Sequence, residues 1–279
     1  MQNFTKTSDW LIEYYAGFKG MQISGHSSFS MKFDLSAEEE VSLLFAANRA
    51  KIFTYLLTIV AKSENHSRIK ETVKSSENAS SHLEKIKSVL NKDIHIVLYD
   101  PREEQFSVGN SFECFDDLDS DGMIEYFTKV DPEITQNPGT HKEINKTIND
   151  SFQIWKRNHF SKYMVFNDFD ILILSKPTIF ELKRVIESID TWNPYVDDSS
   201  NYAALSLISN TNNIRLRVIA YQREREGQIA LHDIIDASKA HIKGRYILCS
   251  PSDKVILGGI SDFDKPTFYM SKRSRQKRY

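Results

Sequence analysis

The spacing of apolar residues in the first half of the chain predicts a long helix after residue 36. Ser36 and Glu39 form a capping box, in which a Ser is followed three residues later by a Glu at a helix start. Apolar residues then recur three and four positions apart, as on one face of a helix. They are Val41, Leu44, Phe45, Ile52, Leu56 and Ile59. We therefore predict one helix from Ser36 to about Ile59, with its apolar stripe in the core.

Shorter elements are predicted on either side of this helix. Residues 9–18 have the pattern of a short helix, and apolar and polar positions alternate towards the end of 21–33, which favours an extended segment. Residues 63–81 are rich in Ser, Glu and Lys, and we interpret them as an exposed surface with weak helical character. A short helix to about Leu90 and a strand over 94–99 follow.

The second half of the chain predicts the order α-β-β-β-α-β. A capping box at Thr140 and Glu143 begins a helix to about His159, and a helix containing Leu205 follows Asp198 as its cap. A further helix is predicted from His232 to Gly244. The predicted strands cover residues 163–166, 170–174, 178–183, 215–222, 246–249 and 255–257. Only the turn at 175–177 separates the second and third strands, which indicates an antiparallel hairpin.

Two groups of helix-breaking residues indicate a domain boundary. Asp131-Pro132 and Asn137-Pro138-Gly139 separate an acidic stretch from the regular pattern of the second half. We predict an N-terminal α+β domain over residues 1–135 and a second domain over 140–279. The fold class is then α/β in the broad sense, a mixed α+β chain with a central mixed sheet.

Composition narrows the classes of protein that fit this pattern. The 279 residues are 40% hydrophobic and 27% charged, which excludes a disordered or collagen-like chain. Two cysteines without metal-ligand spacing argue against a disulfide framework and for a reducing compartment, so we expect the cytoplasm. No export signal or membrane span is recognised. Because the net charge is only −2, a basic contact surface would have to be local.

The predicted hairpin carries the residues with the clearest chemistry. Asp170 begins its first strand, while Glu181 and Lys183 share one face of the second. Burying such charges costs several kcal/mol unless they are paired, bound to a metal or open to a cleft. Two adjacent carboxylates also raise each other's pKa unless a cation lies between them. Mg²⁺, which prefers oxygen ligands and keeps water molecules, satisfies that requirement.

This stretch resembles the active site of the PD-(D/E)XK nuclease superfamily, in which an Asp begins one strand and Glu-X-Lys lies on the next. The resemblance covers about residues 140–222. It implies that Asp170 and Glu181 bind Mg²⁺, or Mn²⁺ as a substitute, and that the Leu182 carbonyl completes the protein ligands. It also implies that Lys183 polarises the attacking water. The spacing from Asp170 to Glu181 is short for the family, so Asp168 stays open as the alternative metal ligand.

The same resemblance suggests how substrate is bound. Many members place a Gln or Tyr on the helix after the lysine strand, and Asn201 and Tyr202 have that position here. Arg184 and Arg215 are candidates for contacts with phosphates. The implied activity is Mg²⁺-dependent hydrolysis of DNA, with RNA left open, in restriction or phage defence. Because cutting both strands often requires two subunits, the resemblance is compatible with a homodimer.

Three other interpretations remain open at this stage. The hairpin could be a solvated edge on which Glu181 and Lys183 form an ordinary ion pair. The fold could be an inactive nuclease that binds nucleic acid or serves in an assembly. The protein could also be a calcium-responsive interaction protein, because residues 117–125 match the first nine positions of a calcium-binding EF-hand loop, although Thr128 stands where a Glu is needed. An acidic, capped turn is the competing interpretation of that segment.

Overall fold

The computed structural model describes residues 21–22, 27–62, 64–136, 151–185, 188–189, 191–221, 229–233, 241–243, 246–248 and 254–257. The predicted helix over 9–18 and the capping box at Thr140 lie outside these ranges. In the described part of the chain, no helix has the length and apolar character needed to cross a membrane.

Helices and strands alternate along the described chain. The helices are α1 (Ser27–Ser30), α2 (His66–Ser75), α3 (Glu77–Leu90), α4 (Ser120–Val130), α5 (Ser151–His159) and α6 (Ser199–Asn212). Single 3-10 turns cover Met31–Phe33, Pro132–Ile134 and Val196–Asp198. The first strands are β1 (Met21–Gln22), β2 (Glu40–Ala47), β3 (Ile52–Val60), β4 (Ile94–Asp100), β5 (Gln105–Gly109), β6 (Asp116–Leu118) and β7 (Val165–Asp168). The remaining strands are β8 (Ile171–Ile173), β9 (Thr178–Arg184), β10 (Arg215–Tyr221), β11 (Ile229–Asp233), β12 (His241–Lys243), β13 (Tyr246–Leu248) and β14 (Lys254–Leu257).

The strands of the described residues form two six-stranded mixed sheets and one small hairpin. The first sheet has the order β6-β5-β4-β3-β2-β7, and the second has the order β1-β8-β9-β10-β11-β14. Strands β12 and β13 pair only with each other. The chain is therefore a mixed α/β protein, as its sequence pattern predicts.

The predicted long helix from Ser36 to Ile59 is wrong, because this segment forms the antiparallel strands β2 and β3. Nearly every position of both strands is buried, so the apolar residues cover two faces and not one helical stripe. Asn48 stops any helix between them, since its side-chain oxygen accepts hydrogen bonds from the backbone of Ala50 and Lys51, each 2.8 Å long.

Other predicted elements of the first half and the chain end have mixed outcomes. The strand over 94–99 and the helix ending at Leu90 are confirmed. The polar stretch over 63–81 contains α2 and the start of α3, and its buried apolar residues are few, namely Ile69, Val73 and Ala79. The segment 21–33 is helical from Ser27, and the predicted helix from His232 is wrong because 229–233 and 241–243 are strands.

In the second half of the chain, the structure confirms the predicted hairpin and the helix and strand that follow it. Strands β8 and β9 are antiparallel, and α6 connects β9 to β10, which lies parallel to β9. The predicted first strand of this unit differs in its partner, because β7 pairs with β2 of the first sheet. Strand pairing thus crosses the predicted boundary between residues 1–135 and 140–279, and the division into two domains stays a prediction.

One apolar core joins the two sheets. Leu57 of the first sheet, Val218 of the second and Leu205 of α6 belong to the same buried cluster. Helix α6 contacts strands of both sheets, namely β3, β7 and β10. A second cluster covers the other face of the first sheet, where Phe127 of α4 and Trp155 of α5 are buried. The connection from β7 of the first sheet to β8 of the second passes beside the first of these clusters, which includes Phe169.

Candidate active site

Asp170 lies where the chain passes from the first sheet to the second. Strand β7 ends at Asp168 and β8 begins at Ile171, so only Phe169 and Asp170 separate these two strands. Phe169 is buried, and its backbone N–H donates to the carbonyl of Leu43 at 3.0 Å. This anchor fixes the position at which Asp170 enters the second sheet.

The register of the hairpin brings Asp170 next to Glu181. Ile171 pairs with Phe180, which places Asp170 and Glu181 opposite each other at the next step. The Oδ2 atom of Asp170 accepts a hydrogen bond of 2.7 Å from the backbone N–H of Leu182. Burial raises the pKa of Asp170 well above its ordinary value, and the negative charges of Glu181 and Asp168 raise it further.

Glu181 is a buried carboxylate, with only 6% of its surface exposed. Its Oε1 atom accepts a hydrogen bond of 2.9 Å from the amide of Asn201 and lies 3.0 Å from the Lys183 ammonium. Burial raises the pKa of Glu181, and Lys183 offsets part of this effect. The charge of Asp168 raises the same pKa, although Asp168 is itself exposed. Asp168, Asp170 and Glu181 together are called the acidic cluster.

Lys183 joins the acidic cluster to the start of α6. Its Nζ atom lies 3.3 Å from Oδ2 of Asp198 and 5.6 Å from the ring centre of Tyr202. Burial alone would lower the pKa of Lys183, but the charges of Glu181 and Asp198 outweigh burial and raise that pKa above its ordinary value. Lys183 is therefore a stable ammonium group at neutral pH and acts as a cation and hydrogen-bond donor.

Asn201 holds Glu181 in place, although the sequence suggested a contact with substrate. Its amide nitrogen donates to Glu181, and its oxygen accepts a hydrogen bond of 3.2 Å from Asn167 of β7. Asn167 was missed by the sequence analysis, because its role depends on β7 belonging to the first sheet. The local signal was an amide side chain next to Asp168 in an otherwise apolar strand.

Three further predicted site residues have positions that the sequence did not predict. Tyr202 is fully buried below Lys183. Arg184 follows Lys183 on β9 and so lies on the opposite face of the sheet. Arg215 pairs with Thr178, five residues along the strand from Lys183, or roughly 16 Å away. The structure therefore does not bring Arg184 or Arg215 to the acidic cluster.

The donor set of the cluster fits a hard divalent cation. Asp170 and Glu181 supply carboxylate oxygens, and Leu182 between Glu181 and Lys183 supplies a carbonyl. No group of three His, Cys, Asp or Glu side chains in metal-binding arrangement occurs in the described ranges. Within the same ranges, Asp170 forms no ion pair with a lysine or arginine. A cation that keeps several water ligands would balance this buried charge, and Mg²⁺ has that property.

Residues 117–125 do not form a calcium-binding loop. Asp117 is paired with Lys70 at 2.7 Å and accepts a hydrogen bond from the Ser107 hydroxyl. Asp119 is the N-cap of α4 and accepts from the backbone N–H of Gly122 at 2.8 Å. Because α4 already begins at residue 120, the acidic side chains do not converge as an EF-hand requires. The capped turn is the interpretation that the structure confirms.

No protein-family model matches this chain, and no curated protein or solved structure matches it either. The resemblance to the PD-(D/E)XK superfamily thus stays a prediction from the residues Asp170, Glu181 and Lys183.

Proposed function

We propose that this protein is a Mg²⁺-dependent endonuclease that hydrolyses phosphodiester bonds of DNA. The observation that supports the proposal is the arrangement of Asp170, Glu181 and Lys183. Two acids from neighbouring strands face each other at the junction of two sheets, with an ammonium group at 3.0 Å from one of them. Two oxygen ligands beside a cationic donor suit a reaction in which negative charge develops on a phosphate.

Each residue of the cluster has a distinct part in this mechanism. Asp170, Glu181 and the Leu182 carbonyl would hold the metal, which supplies an activated water and offsets the charge of the phosphate. Lys183 donates a hydrogen bond to a phosphate oxygen or to the attacking water. Because the pKa of Lys183 is raised, it remains protonated and does not serve as the base. Asn201 fixes the carboxylate of Glu181 and leaves its second oxygen for the metal.

The substrate is proposed to approach from the side of the β2–β3 turn. A pocket of about 340 Å³ is lined there by Arg49, Tyr163 and Ser200, among others. Ser200 directly precedes Asn201, and the Arg49 guanidinium lies 3.5 Å from the hydroxyl of Ser199. Tyr163 is 72% exposed, which suits stacking on a base, and Arg49 suits contact with a phosphate. These residues replace Arg184 and Arg215 as proposed substrate contacts.

Cleavage of plasmid and single-stranded DNA by the purified protein tests this proposal. We expect cleavage with Mg²⁺ or Mn²⁺ and none with chelator. Asp170→Asn, Glu181→Gln and Lys183→Met should each slow cleavage by about a hundredfold or more. Glu125→Gln and Lys129→Met are matched controls, because these residues form an exposed ion pair 2.8 Å long on α4. Equal cleavage by the site variants and the controls would contradict the proposed active site.

One second candidate function is favoured by a specific observation. The Glu181 carboxylate is already balanced by Lys183 and Asn201, as in an ion pair that only stabilises a fold. The protein would then be an inactive nuclease fold that binds nucleic acid or serves in an assembly. DNA binding without cleavage under every metal condition would support this candidate. For the endonuclease, we also propose a cytoplasmic location, a role in restriction or phage defence, and assembly as a homodimer.

A further inference from the structure

A second pocket lies far from the acidic cluster along the hairpin. It is about 750 Å³ in volume and opens between the Met31–Phe33 turn, helix α3 and the turn that joins β8 to β9. Leu174 and Ser175 of that turn line one wall, whereas Asp170 and Glu181 are at the other end of the hairpin. The volume is within the usual range for sites that bind small molecules.

A buried histidine lines this pocket. His82 of α3 is only 8% exposed, and its ring contacts the rings of Phe29 and Phe33 edge to face. Its Nε2 atom has no hydrogen-bond partner among the described residues. Burial, together with the nearby charges of Lys32 and Lys85, lowers the pKa of His82 to about 4, so the ring is neutral at pH 7. A buried polar nitrogen without a partner is costly unless a ligand or water satisfies it.

The charges and apolar groups around His82 indicate the class of ligand. Lys32 and Lys85 both line the pocket and are exposed at its rim. Of the neighbouring acids, Glu84 pairs with Lys87 at 2.9 Å, and Asp34 accepts hydrogen bonds from Ser76 and from Asn78, which itself lines the pocket. The apolar part of the lining is formed by Met31, Val89 and Leu174.

We propose that this pocket binds a small phosphate ester with an aromatic or apolar body, of the size of a mononucleotide. Lys32 and Lys85 would bind the phosphate as cations, and a turn of the buried His82 ring towards the pocket would let its Nε2–H donate to a phosphate oxygen. Met31, Val89 and Leu174 would contact the body of the ligand. This site is separate from the acidic cluster and does not depend on the proposed nuclease activity.

Titration calorimetry of the full chain tests the pocket, with adenosine monophosphate, adenosine and inorganic phosphate as probes. We expect saturable binding of one adenosine monophosphate per chain, and at least tenfold weaker binding of either adenosine or phosphate alone. Lys32→Gln and Lys85→Gln should each weaken the binding of adenosine monophosphate about fivefold to tenfold. Lys74→Gln, which changes an exposed lysine of α2 outside the pocket, is the matched control and should bind as the parent does.

His82→Phe tests the imidazole without removing the ring that packs on Phe29 and Phe33. We expect this variant to unfold at the temperature of the parent or above and to bind adenosine monophosphate at least fivefold more weakly. In the parent, the ring resonances of His82 should shift on addition of the nucleotide. Absence of binding at millimolar nucleotide, or equal affinity in the parent and in a Lys32→Gln, Lys85→Gln double variant, would overturn the proposal. Adenosine binding as tightly as its monophosphate would overturn it too.

Discussion

At the scale of single residues, Asp170 carries a charge that the fold disfavours. Its carboxylate is close to Glu181 and Asp168, and burial raises its pKa well above the ordinary value. A carboxyl group whose pKa is raised on folding contributes full stability at a pH below its unfolded pKa, about 4. That contribution is lost as the pH rises through the raised pKa of the folded state. Without a bound cation, the ionised form of Asp170 therefore destabilises the protein at neutral pH.

Asp170→Asn should stabilise the metal-free protein at pH 8. The amide keeps an oxygen that accepts the N–H of Leu182 and removes the charge, so we expect a gain of roughly 1 kcal/mol in the free energy of unfolding. The gain should shrink as the pH falls below about 4, where the parent carboxyl becomes protonated in both states. Thermal unfolding with chelator across this pH range measures it, and Asp116→Asn, at an exposed position, is the control. A gain that is independent of pH would contradict the electrostatic cause.

Binding of Mg²⁺ should reverse the order of stability of these two proteins. A ligand that binds only the folded state at 100 times its dissociation constant adds about 2.7 kcal/mol of stability. The parent should therefore unfold at a higher temperature as Mg²⁺ is added at pH 8, whereas Asp170→Asn should respond little. Scanning calorimetry with and without Mg²⁺ measures the difference, and NaCl at equal ionic strength controls for screening. An equal response of both proteins would exclude Asp170 as a ligand.

Lys183 and Glu181 should show strong coupling in a double-mutant cycle. Lys183→Met leaves the Glu181 carboxylate buried without its ammonium partner, which should cost about 3 kcal/mol in the free energy of unfolding. Adding Glu181→Gln removes that uncompensated charge, so the double variant should be more stable than the sum of the single effects predicts. Urea unfolding measures all four proteins. Additive effects would show that the ion pair carries no net interaction.

The sequence was sufficient to predict which acids and which lysine meet, since a short turn fixes the register between Asp170 and Glu181. It was not sufficient to predict the partners of Asn201. That bond depends on the rotation of α6 and on β7, whose pairing with β2 is a contact over more than a hundred residues. Such long-range contacts leave no local pattern in the chain.

At the scale of elements, β2 and β3 show why apolar spacing predicted a helix where the chain forms two strands. A strand that is buried on both faces is apolar at nearly every position, and any helical template then finds matching residues. The local chemistry of Asn48, which accepts from the backbone of Ala50 and Lys51, was the signal for a turn. By contrast, β8 and β9 are separated by a proline-containing turn, and the hairpin there is confirmed.

Shortening a side chain should lower the free energy of unfolding more at the centre of β3 than at its end. Leu57 is fully buried in the core between the sheets, so Leu57→Ala should lower the free energy of unfolding by about 2–5 kcal/mol. Ile52 at the end of the strand is partly exposed, and Ile52→Ala should cost less than half as much. Urea unfolding of both variants measures the effects. Equal costs would not agree with a strand whose centre is buried and whose end is open.

At the scale of the whole molecule, residues on either side of the predicted boundary complete each other's packing. Trp155 of α5 packs on Phe106 of the first sheet with ring centres 4.7 Å apart, and Phe152 of α5 lies 5.9 Å from Tyr99. Helix α6 also packs between the two sheets. Packing between aromatic side chains therefore spans the predicted boundary.

A fragment of residues 1–136 is accordingly expected not to fold by itself. It would lack β7, α5 and α6, so Phe106 and Leu57 would lose apolar cover on the two faces of the first sheet. Expressed alone, the fragment should aggregate or show no cooperative unfolding, because exposed apolar patches of this kind drive association. Cleavage of the intact chain between 137 and 150 should instead leave both pieces together in gel filtration, since the packing survives the cut. A fragment that is monomeric, with dispersed amide resonances and the unfolding midpoint of the full chain, would show that residues 1–135 are an independent domain. In that case the acidic cluster would form in the second half of the chain without the first sheet. With a shared core, Asn167 of β7 and Glu181 of β9 belong to one folding unit.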